Sequence, residues 1–483
     1  MTFPLVPALP RTALTALAAL LLGACAGLPA VGPDYAAPQP GVPDAWHQPA
    51  APGETRELAR WWRQFDDAGL DRLIDAALTG SLDLRQAEAR LRQARAARAQ
   101  AVSGLFPGVS ASAGACRSRN ATAISALPPR TTWDAGFDAS WELDLFGGTR
   151  RGIEAATAEL EASAASLANV RVSQLAEVAQ NYVELRAYQR RLAIARDNLA
   201  SQSETLQIVM WRNQAGLASS TDVAQARTSR EQTRAAIPDL QVGLAAAVNR
   251  LGVLTGTPPG ALQSDLAGDG ALPPVPPGVG AGIPADVLRQ RPDLIVAERN
   301  LAAETARVGQ KLAQRFPSLD LGGSFGWQAY SLGALGGAGT LARAASGTLA
   351  ATLFDGGRLR SAVDIQRAVR DEALAAYESA VLAALEEVEN ALSAYAAGRE
   401  RVAARRAAAE AAREAADLSR KLYQAGLADF QKVLETERTR LSAEDNLAIA
   451  EATMRTNLVK LYKALGGGWQ AAAGAAPEGR PTP

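Results

Sequence analysis

The sequence is written twice, and few folds can accommodate that. Asp83-Leu84-x-x-Ala87-Glu88-x-x-Leu91 returns as Asp293-Leu294-x-x-Ala297-Glu298-x-x-Leu301, an offset of 210 residues. The same offset carries Phe106-Pro107 onto Phe316-Pro317, Gln214-Ala215-Gly216-Leu217-Ala218 onto Gln424-Ala425-Gly426-Leu427-Ala428, and Val223 onto Val433. Leu145-Phe146-Gly147-Gly148 matches Leu353-Phe354-Asp355-Gly356-Gly357, with one extra residue in the second copy. Separated motifs recurring in one order mark a duplicated structural unit. The copies are joined by a Pro/Gly-rich stretch containing Pro258-Pro259, Pro273-Pro274 and Pro276-Pro277, a composition that favours an extended, irregular connector. Each copy reads as helix, strand, strand, very long helix, tight turn, helix. The chain then divides into residues 81–256, the first repeat; 257–285, the connector; and 286–466, the second repeat, with 1–24 and 25–80 as two separate N-terminal segments and 467–483 as a C-terminal tail.

The strands alternate with period two. Phe137, Ala139, Trp141, Leu143 and Leu145 fall on one face, and Asp138, Ser140, Glu142 and Asp144 on the other. Leu319, Leu321, Phe325 and Trp327 repeat the pattern opposite Ser318, Asp320, Ser324 and Gln328. A half-buried soluble sheet shows the same alternation. Acidic residues repeated along the polar face favour a transmembrane β-barrel strand with a wet lumen. Weaker strands are expected near 108–117 and 346–354. By parity Cys116 falls on the polar side; no function attaches to it.

The long helices are expected over about 150–214 and 358–424, each on the order of 100 Å at 1.5 Å per residue. In the first, positions 175, 178, 182, 185, 189, 192, 196, 199, 203, 206 and 210 follow a 3-4 spacing, filled by Leu, Val, Tyr or Met except at Gln189, Arg196 and Ser203. That is a coiled-coil seam. Alanine supplies much of the 48% apolar content and aromatics only 5%, so the helices should pack closely. Four strands cannot close a barrel, since the smallest have about eight. Open edges in lipid cost several kcal/mol per unsatisfied group, so the barrel must be shared between chains. Two, three or four copies all satisfy this arithmetic.

Several function classes are excluded or disfavoured. Acidic and basic residues number 50 each, leaving no basic excess to track nucleic-acid phosphates. No His/Cys metal spacing, phosphate-cradling loop, HExxH or Gly-x-Ser-x-Gly elbow occurs, and the single histidine, His47, sits in a Pro-rich stretch. The chain is expected not to be an enzyme, and no cofactor or metal is expected. Thr12–Leu22 is too short to span a bilayer but suits a signal h-region. It ends in Leu22-Gly23-Ala24-Cys25, similar to a lipobox in which Cys25 takes the lipid, and Ala26 rather than Asp favours the outer membrane.

At these residues the chain resembles the TolC-like outer-membrane efflux (outer membrane factor) family, in its NodT-type lipoprotein branch. The longest match is Arg291-Pro292-Asp293-Leu294-x-x-Ala297-Glu298-x-x-Leu301-Ala302-Ala303, continuing through Val308-Gly309 to Phe316-Pro317-Ser318. Pro292 suits a first helical turn and Asp293 complements the helix dipole. Val31-Gly32-Pro33-Asp34-Tyr35, Trp61-Trp62-x-x-Phe65 and Trp141-Glu142-Leu143-Asp144-Leu145-Phe146-Gly147 agree, as do the two Gly-Leu turns. The resemblance implies a mixed α and β membrane protein: a trimeric 12-stranded barrel, four strands per chain, continued by a long helical coiled-coil barrel. It further implies a passive conduit in a tripartite export system, with a homotrimer, a periplasmic adaptor, an inner-membrane pump and outer-membrane lipid as partners. The alternative is a lipid-anchored coiled-coil spacer without a pore.

The same resemblance marks candidate site residues. Gly216, Leu217, Gly426 and Leu427 would form the periplasmic tips that meet an adaptor. In related channels an acidic residue near the Glu435 position narrows the periplasmic opening; here Glu replaces Asp, and Gln431 stands a turn earlier. Asp222 in the first hairpin is an alternative or additional member. Glu435 could instead be a solvated residue paired with a neighbour such as Arg438, and Glu437 is expected to be exposed.

Overall fold

A computed structural model describes residues 30–47, 58–119, 128–268, 270–276 and 284–469. The expected signal segment and Cys25 lie outside the described residues, as does most of the C-terminal tail. The order is a 3-10 turn (Leu58–Phe65), α1 (Ala68–Gly80), α2 (Leu82–Ser103), β1 (Gly108–Ser118), β2 (Arg130–Leu143), α3 (Gly148–Gln214), α4 (Ser220–Leu254), α5 (Gln263–Leu266), α6 (Pro284–Gln290), α7 (Pro292–Ala313), β3 (Ser318–Ala329), a second 3-10 turn (Leu332–Ala334), β4 (Leu341–Ala350), α8 (Arg358–Gln424) and α9 (Phe430–Ala464). The duplication survives in the element lengths. α2 and α7 have 22 residues each, α3 and α8 have 67, and α4 and α9 have 35. No helix among the described residues is long and apolar enough to cross a membrane. The chain falls into two compact units, one of residues 1–39, 90–164 and 296–378, the other of 40–89, 165–295 and 379–483.

The first unit holds a four-stranded antiparallel sheet in the order β1-β2-β3-β4. Directly opposite residues share a face, so Ser110, Asp138, Ser324 and Ala344 form one row and Ala111, Phe137, Phe325 and Arg343 another. The apolar face is open to its surroundings, with Phe137 and Phe325 about half exposed. One expectation needs correction: β4 runs over 341–350 rather than 346–354, because its pairing with β3 begins at Trp327↔Leu341, close to the turn. Small residues dominate this strand, and a period-two reading has little to hold there.

Two motifs meet beside the sheet. Gly32 adopts φ +103°, and a Cβ there would lie 2.4 Å from the Gly309 Cα, so neither position leaves room for a side chain. The buried Arg151 donates to the carbonyls of Val31 and Gly32 and pairs with Asp34 at 2.8 Å and Glu154 at 2.7 Å. Tyr35 donates to Glu298 at 3.0 Å, with Arg299 over its ring. Ala155 and Ala158 of α3 pack on Ala302, Ala303 and Ala306 of α7, the close approach that small side chains permit. The extra residue of the second copy also has a local role. Asp355 accepts from Gly357 and Leu359 N–H groups at 2.9 and 2.8 Å and starts α8, whereas Asp144 does this for α3 through Thr149 and Arg150.

The second unit is helical around an aromatic centre. Trp61 is fully buried and stacks on Tyr462 at 5.1 Å, with Trp62 and Phe65 edge-on. Leu70, Leu73, Ile74 and Ala77 of α1 close over it. The Arg291-Pro292-Asp293 motif is a brace. Buried Arg291 pairs with Asp293 at 2.6 Å and Glu387 at 2.7 Å and donates to the Ala464 carbonyl at 2.9 Å, tying α7, α8 and the end of α9 together.

Leu206 apart, which is buried nearer the turn, the seam of α3 keeps its expected burial only through Leu192: Leu175, Val178, Tyr182, Leu185, Gln189 and Leu192 are buried. Beyond it Arg196 and Ser203 are exposed, and Asn198, Gln202 and Thr205 are buried instead. Two of these polar side chains, Asn198 and Thr205, are bonded by partners on α9, whereas the buried Gln202 Oε1 has no hydrogen-bond partner. Asn198 accepts from Arg440 at 3.0 Å, and Thr205 donates to Glu437 at 3.0 Å.

Candidate aperture at the helical hairpin turns

Both hairpins turn the same way. The Leu217 N–H donates to the Arg212 carbonyl at 2.7 Å and Gly216 to Asn213 at 2.9 Å; Leu427 donates to Leu422 at 2.8 Å and Gly426 to Tyr423 at 3.0 Å. This is the paired 6→1 and 5→2 bonding that ends a helix on a left-handed residue. Gly216 and Gly426 supply it, with φ of +74° and +77°. A Cβ at either would meet nothing within 4 Å, so backbone conformation alone demands glycine. Leu217 and Leu427 are 68% and 76% exposed. Two apolar side chains are thus presented outward at the turns.

The following helices start differently. Ser219 and Asp222 form a reciprocal capping box, with Asp222 N–H to Ser219 Oγ at 3.1 Å and Ser219 N–H to Asp222 Oδ2 at 2.9 Å. Asp429 alone caps α9, accepting from Lys432 N–H at 2.9 Å. The Asp222 carboxylate is therefore engaged in starting α4. Glu435 is exposed and pairs with Lys432 at 3.1 Å, not with Arg438. Gln431 is also exposed and donates to Gln225 at 2.5 Å, joining α9 to α4.

Beside the turns lies a packed layer. Leu206, Val209, Ala226, Tyr423, Phe430, Val433 and Leu434 are buried together. Arg212 sits over the Tyr423 ring at 4.5 Å and donates to its carbonyl at 2.6 Å. Burial raises the Tyr423 hydroxyl pKa, and Arg212 opposes the rise.

The expectation for Glu437 is wrong. It is 3% exposed, accepts from Thr205 at 3.0 Å and pairs with Arg420 at 3.3 Å; Arg420 also bonds Ser201. One residue earlier on each helix, Ser419 and Thr436 share a buried hydrogen bond. Glu435 and Glu437 are two residues apart, about 200° around a helix, so one faces out and the other into the bundle. Position along the helix does not distinguish them; the partners on α3 and α8 do. The interruptions of the α3 seam did not signal this: Arg196 and Ser203 are exposed, Gln189 donates to the Leu266 and Gly268 carbonyls, and Thr205, the α3 partner of Glu437, lies off the seam spacing.

Known proteins place this architecture. The sequence pattern of the family described as "Outer membrane efflux protein" matches residues 73–257 and 283–467. The pyoverdine export outer membrane protein OpmQ of Pseudomonas aeruginosa is 34% identical, over 94% of this chain and 96% of that protein. Nodulation protein T of Rhizobium leguminosarum bv. viciae is 30% identical, over 95% of this chain and 94% of that protein. The solved outer-membrane channel OprN superposes with a TM-score of 0.85 at 38% identity, over 91% of this chain and all of that one.

Proposed function

The chain belongs to the outer membrane efflux protein family, and from that premise we propose that three copies assemble into a passive, lipid-anchored conduit fed by an inner-membrane pump through a periplasmic adaptor. One observation carries the proposal: a four-stranded sheet with one apolar and one acidic face, in which β1 pairs only with β2 and β4 only with β3, so that the outer edge of each has no partner among the described residues. Such a sheet is stable in lipid only when copies close its edges, and three copies give twelve strands. The reading assigns no catalysis to the chain. The pump supplies the work and the channel the path.

The hairpin turns belong to the periplasmic end in this reading. Exposed Leu217 and Leu427 are the apolar contacts offered to an adaptor, and Glu435 with Gln431 rings the opening when copies surround an axis. Cys25 takes the lipid after cleavage at the preceding residue, at about 0.8 kcal/mol of membrane affinity per buried CH₂. The test is planar-bilayer conductance of the purified protein, with native mass to count subunits. Stepwise conductance from a three-chain species is expected. A folded, lipid-anchored protein that never conducts would replace this reading with that of a spacer.

A further inference from the structure

We infer that β4 of one copy pairs with β1 of the next in the register that already joins β2 to β3 within the chain, setting Cys116 directly opposite Ser346. The inference rests on the shared-barrel reading and adds to it the residues that meet.

The two hairpins fix the correspondence. In the first, Gly108 lies opposite Ser140; in the second, Ser318 lies opposite Ala350, each partner displaced by 210 residues. β3 is therefore the structural counterpart of β1, and β4 of β2. The β2–β3 junction is the chain's own example of one repeat's second strand meeting the next repeat's first strand. Between copies only β4 and β1 remain to form that junction.

Carrying the β2–β3 pairs across gives specific partners. Leu143↔Leu319 becomes Leu353↔Val109, and Gly136↔Gly326 becomes Ser346↔Cys116. The first pair joins two side chains that a single chain leaves 97% and 69% exposed, on the lipid-facing side. It also extends β4 past Ala350, so Leu353 enters the sheet only when a neighbour is present. The second pair lies on the polar face, where Cys116 is exposed as a free thiol. Aligning the copies instead on Leu145-Phe146 and Leu353-Phe354 shifts the register by two residues and puts Ala344 opposite Cys116. The register is therefore open to a direct measurement.

The experiment introduces Ser346→Cys into the full-length protein in its membrane, beside Ala344→Cys and Thr348→Cys on the same face, and oxidises with copper phenanthroline. β1 and β4 stand at opposite edges of their own sheet, roughly 14 Å apart, beyond disulfide reach, so any bond joins two copies. The largest yield of reducible, covalently joined chains is expected at 346, and Cys116→Ser should abolish it. A maximum at 344 or 348 overturns the register. So does absence of crosslinking at all three positions in a preparation that conducts, a result that leaves the channel reading standing. A preparation of single chains that does not conduct overturns both.

Discussion

Glu435 and Glu437 stand two positions apart on one helix in different media. Glu437 gives up water for Arg420 and Thr205. Replacing it with Gln strands part of a buried guanidinium, and such broken pairs cost about 3–5 kcal/mol when both charges are fully buried. Arg420 is 21% exposed, so a cost toward the lower end is expected, read as a fall in the unfolding midpoint. Glu435 is 68% exposed and spends little on folding. Glu435→Ala should leave the midpoint within a degree or two yet raise single-channel conductance, with exposed Glu410→Ala as the control that changes neither. Equal conductance for wild type and Glu435→Ala in intact oligomers would remove Glu435 from the aperture. The sequence alone treats the two glutamates alike. What separates them is a partner 17 residues back on another helix and one more than 200 residues back, which no local pattern encodes.

At the scale of elements, regular periodicity was legible and irregular closure was not. The long helices fall within two residues of expectation, because alanine-rich 3-4 patterns admit little else. β4 was misplaced, because in Leu-Ala-Arg-Ala-Ala-Ser-Gly-Thr-Leu-Ala the small side chains give neither face a hydrophobic identity. The Gly-Leu turns were legible because only glycine takes their backbone cheaply. An alanine at Gly216 or Gly426 has open space but the wrong φ, and should cost about 1–2 kcal/mol per site. Hydrogen exchange should place the loss in the turn and the adjoining helix ends, and fast exchange spread through both units would argue against a local effect. α1 offers a pH test. Asp71 has a carboxylate oxygen buried without a partner, and burial, with Asp75, Asp67 and Asp66 nearby, raises its pKa against the pull of Arg63. A raised acid pKa contributes stability below the unfolded value, near 3.9, and loses it as pH climbs through the folded value. Asp71→Asn should therefore be more stable than wild type at pH 7, with the gap closing toward pH 4; an unchanged gap between those pH values would contradict the assignment.

For the whole molecule, the duplication was the most legible fact, since it needs only self-comparison, and the connections between copies the least, since they lie in no single chain. Charge shows how the two combine. The chain carries 50 acidic and 50 basic residues, so net charge predicts no selectivity. The strands sort those charges. Asp134, Asp138, Glu142 and Asp320 share the polar face, while Arg117 and Arg343 lie on the apolar face and Arg130 sits at the loop end beside Tyr330. Closing three such sheets repeats the acidic row three times around one lumen, within roughly a Debye length of a permeating ion at physiological salt. Cations should be concentrated there and anions depleted. A potassium chloride gradient across a planar bilayer should give a cation-selective reversal potential, shrinking as salt is raised. Asp138→Asn with Asp320→Asn should move that potential toward zero without closing the channel. Since Glu435 lies in the other unit, Glu435→Ala should add to this shift, and a double-barrel-site variant that retains full cation preference would assign selectivity to the hairpin end alone.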